Sequence, residues 1–286
     1  MEVLRYDDPA AFRRDGAPVL LADVARNNLV LAILQVLLDD PDLYPVFHLW
    51  LAVHEGRPVG LAMQTEPFNV IVAEPLEDDA VGALAQAVVA DDGPLPGVIA
   101  NRRWADRFAE RVTAVTGQHA ERILEQGVWM LTAVEDVPVP NGAARAAAPA
   151  DRDLLRQWMR AFADEALPPG HPRPEARTDL EIDLRLSGHG GGYLLWEDGS
   201  PVSLSGHREI PGVGSRIGPV YTPPQRRGLG YATRLVAEHS ASRLAAGDPA
   251  CFLYTDMANP TSNAIYARIG YVKIGDAAEY AFQREP

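Results

Sequence analysis

Two glycines spaced two apart, Gly228 and Gly230, stand where an apolar run gives way to a helical pattern, and here residue types and spacing point most plainly to chemistry. Residues 217–222 read as a strand, which Pro223 and Pro224 must stop because neither can donate to a sheet ladder. Gln225-Arg226-Arg227-Gly228-Leu229-Gly230 then turns the chain into an expected helix reaching about residue 245. Glycine lets main-chain N–H groups face one way with no side chain in front of them. The first turn of a helix adds unpaired N–H groups and a partial positive charge. A phosphate or diphosphate fits such a place, and Arg226, Arg227 and Arg234 bring further positive charge.

Three phosphate chemistries compete for this turn. A Walker loop requires Gly-x4-Gly-Lys-Ser/Thr, and the lysine is absent. A dinucleotide fingerprint requires a third glycine where Thr233 stands, and Asp248, about 20 residues on, falls in a turn. The diphosphate of coenzyme A needs only the two glycines and the helix start. A glycine-rich loop that merely caps a helix is the plain alternative.

A second motif, Asn259-Pro-Thr-Ser-Asn-Ala-Ile-Tyr266-Ala-Arg-Ile-Gly-Tyr271, lies one helix and one strand downstream. With both motifs present, the chain resembles the GNAT superfamily of N-acetyltransferases over roughly residues 145–282. Gln225 to Gly230 match that family's Gln/Arg-x-x-Gly-x-Gly/Ala, and Asn259 to Tyr271 match its Asn-x-x-Ser/Ala-x-x-Leu/Ile-Tyr-x-Lys/Arg-x-Gly-Phe/Tyr. The resemblance implies an α/β (α+β) fold, a mixed and mostly antiparallel sheet flanked by helices, with two such layers in tandem. It implies acetyl-CoA as cosubstrate, no metal, and a small-molecule or peptide amine as acceptor.

By position, the resemblance implies that backbone groups of Val220, Tyr221 and Thr222 meet the pantetheine arm. The amides around Arg227, Gly228, Gly230, Tyr231, Ala232 and Thr233 would hold the diphosphate, and Asn259 would meet the arm or cap its helix. The implied chemistry is direct attack of a neutral amine on the thioester. The Val220 N–H would stabilise the oxyanion, and Tyr266 would protonate the leaving thiolate. His207, Glu209, Asp256 and a chain of waters are open alternatives for the base. A non-catalytic acyl-CoA-binding or interaction module is the rival class.

The elements that must position these residues alternate cleanly in the second half. Helices are expected at 152–166 and 178–186, strands at 193–196, 201–207 and 217–222, then a helix, a strand at 252–255, a helix at 262–269 and a final strand pair from Tyr271. The first half gives a fainter version of the same order, closing with a strand at 128–134, and it lacks a Gly-x-Gly turn after residues 70–72. Acidic Glu74 and Glu77 stand there instead, so this copy is expected to bind no coenzyme. Prolines, Asn-Gly and small residues make 137–150 read as a linker between a degenerate domain, 1–136, and a catalytic one, 151–286.

Composition narrows the partners. The 286 residues carry 39 acidic against 26 basic side chains, a net charge of −13, which disfavours nucleic acid and anionic membrane. No secretory leader is legible, the apolar stretch 29–38 is too short to span a bilayer, and the single cysteine, Cys251, reads as a buried strand residue. A cytoplasmic monomer or homodimer is expected. His189-Gly190-Gly191-Gly192 lacks the Gly-x-Ser-x-Gly elbow of a lipase and reads as a turn. The histidines show no metal-ligand spacing.

Overall fold

The computed structural model describes residues 1–75, 77–92 and 95–283, the side chain of Asp92 excepted. The chain forms two compact units, Met1–Gly127 together with the C-terminal stretch from Gly275, and Val128–Ile274.

The first unit opens with β1 (Glu2–Tyr6), α1 (Pro9–Asp15), α2 (Ala17–Leu20) and α3 (Asn28–Asp39). Asp8 caps α1 by accepting from the Ala10 amide, with Pro9 at the first helical position. The apolar stretch noted in the sequence is α3, whose Val30, Leu31, Leu34 and Leu37 are buried. Next come β2 (Phe47–His54) and β3 (Arg57–Thr65), joined at Glu55-Gly56, where both residues have positive φ, as a tight hairpin requires. β4 (Val70–Val72), α4 (Asp78–Asp92), β5 (Gly97–Asn101) and α5 (Arg102–Thr116) follow, and β6 (His119–Leu131) leads from this unit into the second. Trp50, Leu84, Phe108 and Val112 centre the core between this sheet and α4 and α5.

The second unit contains β7 (Ala143–Ala146), α6 (Arg152–Ala166), α7 (Glu175–Leu186), β8 (Gly191–Glu197), β9 (Pro201–Ile210), β10 (Gly214–Tyr221), α8 (Tyr231–Ala245), β11 (Cys251–Asp256) and α9 (Pro260–Ile269). β12 (Val272–Gln283) then returns the chain to the first unit. In the first unit the strand order is β1-β2-β3-β4-β5-β12, and in the second it is β6-β11-β10-β9-β8-β7. The ladders β1 with β2, β2 with β3, β3 with β4, β5 with β12, β7 with β8, β8 with β9 and β9 with β10 are antiparallel, and β4 with β5 and β10 with β11 are parallel.

Three readings of the sequence differ from this arrangement. The segment 137–150 is more than a connection: Ala143–Ala146 pair with β8, and Arg145 ties them down through Asp151 at 2.7 Å and through Glu197. The strand closing the first half begins at His119, not at residue 128, and residues 277–281 of β12 pair with β5. Residues 272–283 form one long strand rather than a pair. Each difference depends on partners distant in sequence, to which local periodicity is blind.

Candidate functional site

The cleft begins where β10 and β11 stop pairing. Their parallel ladder holds two pairs, Ser215 with Cys251 and Arg216 with Phe252, yet β10 continues to Tyr221 and β11 to Asp256. Side chains alternate across the sheet. Ile217, Cys251 and Leu253 pack under α8, while Tyr221 packs with Trp158 of α6 on the other face. The register of β10 on β9 shifts between Ile217 and Val220, which places Gly218 and Pro219 opposite Gly206. Pro219 cannot donate, so a bulge falls where the sequence removes a ladder bond. Gly206 is required at that point, because a Cβ there would lie 2.8 Å from the Gly218 carbonyl oxygen.

Beyond the bulge, the Ser203 hydroxyl bonds to the Tyr221 carbonyl at 3.3 Å and to the Thr222 hydroxyl at 2.8 Å. A short turn, Pro224–Arg226, leads to Gly228 at φ +77° and Gly230 at φ +84°. Both glycines face open space, with no atom within 4 Å of a Cβ built on either. Gly230 caps α8 without a side chain. Among the described residues, the amides of Gly228, Leu229, Gly230, Tyr231, Ala232 and Thr233 find no acceptor, and the Arg234 amide is the first to bond back, to the Gly230 carbonyl at 3.1 Å. Six successive donors at a helix start form a concave anion site.

Arg227 departs from expectation. Its amide donates to the Pro224 carbonyl at 3.3 Å. Its side chain folds back onto the Thr222 carbonyl at 2.8 Å and pairs with Glu165 at 2.5 Å. Arg234 pairs with Glu238 at 2.7 Å. Arg226 is exposed and makes no ion pair among the described residues. Tyr231 turns its side chain away, its hydroxyl donating to Asp198 at 2.6 Å, which leaves its amide on the open side. The Asn259 side chain caps α9, its oxygen accepting from the Ser262 amide at 3.1 Å.

Tyr266 is half-buried on α9 against the cluster that Val220 also packs on, its ring edge-on to Tyr271 at 5.9 Å. Its hydroxyl has no hydrogen-bond partner among the described residues, and burial pushes it up to about 12. Tyr271 is core, its hydroxyl bonded to Ser240 at 2.8 Å. Cys251 is core as well, burial pushing its thiol up to about 12.

Of the three base candidates, only Asp256 stands on the parted stretch of β11, where it accepts from the Ala258 amide at 2.8 Å. Glu209 lies opposite Ser215, at the paired end of β10, and is held by Arg243 at 2.9 Å. His207 faces α8, where its Nδ1 lies 2.8 Å from Nε2 of His239, whose Nδ1 lies 2.8 Å from the Ser205 hydroxyl. Sequence reasoning missed His239, although it falls four residues after Leu235 on the buried side of α8.

This histidine pair makes the fold acid-sensitive. Burial pushes His207 down to about 3, helped by Arg243 and Arg185. Burial likewise drives His239 well below the usual imidazole range, helped by His207 and Arg243. Both folded-state values lie under the unfolded one, so the stabilisation is complete above about pH 6.5 and is lost as pH falls toward 3. Each histidine removes up to about 1.4 kcal/mol per pH unit in that window. The melting temperature of the wild type is expected to fall between pH 6.5 and 5, and to fall less in a His207→Gln/His239→Gln double variant. A flat wild-type profile contradicts this.

The corresponding turn in the first unit is built differently. β4 and β5 also share two parallel pairs, Val70 with Val98 and Ile71 with Ile99. After β4, the Glu74 amide donates to the Asn27 side chain at 2.8 Å, and the Glu74 carboxylate is held by Asn101 at 2.9 Å and Arg26 at 3.3 Å. Asp78 and Asp79 occupy the first turn of α4.

Comparison with known proteins bears on the fold. Residues 198–281 match a family model described as FR47-like protein. No curated protein matches the chain in sequence. Solved structures resemble it over nearly its whole length. A GNAT-family acetyltransferase from Colwellia psychrerythraea is 10% identical with a TM-score of 0.62, covering 99% of this chain and 100% of that one. A tandem GNAT protein from the clavulanic acid biosynthesis pathway is 14% identical with a TM-score of 0.64, covering 100% of both chains. A GCN5-related N-acetyltransferase from Sphaerobacter thermophilus is 18% identical with a TM-score of 0.64, covering 97% of this chain and 94% of that one. At such identities the likeness is one of fold. The chain has the fold of the tandem GNAT acetyltransferases, and the resemblance carried by its two motifs is met by the family match as well. Among the described residues, no helix is long and apolar enough to cross a membrane.

Proposed function

We propose that the second unit transfers an acyl group, acetyl foremost, from a coenzyme A thioester to an amine by direct attack within a ternary complex. The observation that carries this reading is the parting of β10 from β11 next to six unpaired amides on Gly228–Thr233. A diphosphate satisfies those donors, and the pantetheine arm runs back along the parted stretch of β10. The amine nitrogen attacks the thioester carbon, and the carbonyl oxygen takes the charge against the Val220 N–H, Pro219 having none to offer. As the C–S bond breaks, the thiolate takes the Tyr266 proton, and the proton lost by nitrogen passes to Asp256. The first unit folds without a coenzyme, since Glu74 and its partners already complete the corresponding turn.

Two measurements on the full chain test this. Saturating acetyl-CoA is expected to raise the melting temperature by several degrees, as ligand at about a hundred times its Kd adds roughly 2.7 kcal/mol. Thiol release against a panel of amines should accompany it, and Asp256→Asn should slow release without weakening the thermal shift. Absence of any shift with acetyl-CoA overturns the reading.

A further inference from the structure

The last turn of α6 carries two adjacent carboxylates, Asp164 and Glu165, and no basic residue. A helix C-terminus disfavours negative charge, so the stability of α6 does not explain them. Each is taken by an arginine from outside the helix. Asp164 pairs with Arg173, which also donates to the Ala163 carbonyl at 2.9 Å. Glu165 reaches the glycine turn before α8. One of its oxygens pairs with Arg227 at 2.5 Å, and the other accepts from the Tyr221 hydroxyl at 3.4 Å. Arg227 is held further by the Thr222 carbonyl at 2.8 Å, and its guanidinium lies 5.9 Å from the centroid of the Tyr221 ring.

This contact joins two elements that border the cleft. Tyr221 follows Val220 on the parted stretch of β10, and Arg227 precedes Gly228, the first of the six free amides. Glu165 thus turns a guanidinium away from the very donors that would receive an anion. The contact is also weak. Its side chains are 47% and 42% exposed, and an ion pair so open to water shifts an equilibrium by no more than about fivefold. A guanidinium on a phosphate makes stronger, charge-assisted bonds. A diphosphate settled on the amides therefore draws Arg227 from Glu165. Because Arg227 is bonded to Gly228, the exchange takes only rotation about its side-chain bonds.

We infer that Glu165 is a positioning residue for coenzyme binding, which holds Arg227 off the anion site while that site is empty and yields it to the diphosphate when coenzyme arrives. This rests on the acyl-transfer reading. The amides take the diphosphate first, Arg227 joins them, and the end of α6 is released from the turn.

The test is a double-mutant cycle on the full chain, with acetyl-CoA titrated calorimetrically into the wild type, Glu165→Gln, Arg227→Gln and the double variant. Glu165→Gln should bind acetyl-CoA about two- to fivefold more tightly than the wild type, because Arg227 no longer leaves a partner. Arg227→Gln should bind it roughly tenfold more weakly. In the Arg227→Gln background, Glu165→Gln should change nothing. That non-additivity separates the exchange from plain repulsion between Glu165 and the diphosphate, which would persist without Arg227. Both side chains are half exposed, so the variants should fold, and Glu165→Ala gives a second reading of the same loss. Unchanged or weaker binding in the Glu165 variants, full affinity in Arg227→Gln, or a tightening that survives in the double variant overturns the inference. Any of these with a wild type that binds acetyl-CoA sinks this inference alone, whereas a wild type that does not bind it sinks the acyl-transfer reading.

Discussion

Gly230→Glu is expected to abolish the thermal shift produced by acetyl-CoA while leaving the fold in place. Gly230 has φ +84° and caps α8 with no side chain. A non-glycine residue there costs about 1–2 kcal/mol of backbone strain, an amount a folded domain survives. Nothing lies within 4 Å of the added Cβ, so no clash is added to the strain. The carboxylate, by contrast, enters the space that the amides of Gly228–Thr233 face. Two unit negative charges about 4 Å apart repel by roughly 4 kcal/mol at an effective dielectric near 20, about a thousandfold in affinity. Gly230→Ala separates the two effects: it carries the strain without the charge, so it should lower the melting temperature slightly and keep the acetyl-CoA shift. Loss of the shift in Gly230→Ala would mean that the loop conformation is what matters. A full shift in Gly230→Glu would move the diphosphate elsewhere.

The sequence made that prediction possible because glycine and proline act locally. Pro223 and Pro224 end β10, and Gly228 and Gly230 take positive φ, whatever surrounds them. The helices and strands of the second half were legible for a similar reason, since each apolar period meets a single core. What the sequence hid depends on partners far along the chain. Residues 277–281 complete the sheet of the first unit because they pair with β5, some 180 residues earlier, and no window of periodicity records that. The small residues of 143–146 look like a linker until Arg145 finds Asp151 and Glu197. Within the site, Arg227 and Arg234 look like phosphate ligands in the sequence, yet each has a carboxylate within reach, Glu165 and Glu238. The main-chain amides remain as the donors.

Tyr266→Phe is expected to lower kcat by about a hundred- to a thousandfold, within the usual range for loss of a general acid, with the acetyl-CoA shift unchanged. The substitution removes one hydroxyl, which has no hydrogen-bond partner among the described residues. The ring remains to pack against Tyr271 and the cluster beneath α8, so stability should stay within about 0.5 kcal/mol of the wild type. Burial pushes the Tyr266 hydroxyl up to about 12, so it keeps its proton throughout the neutral range. Its loss should therefore scale the pH–rate profile down without moving its limbs below pH 10, and any limb in the neutral range belongs to another group. Two outcomes lead elsewhere. An unchanged rate would assign the leaving-group proton to solvent and reduce Tyr266 to packing. Coenzyme binding with no thiol released by the wild type, from amines with or without a carboxylate, would favour a module that senses acyl-CoA over one that consumes it, because the same amides grip the diphosphate in either case and only a proton delivered to sulfur distinguishes the two.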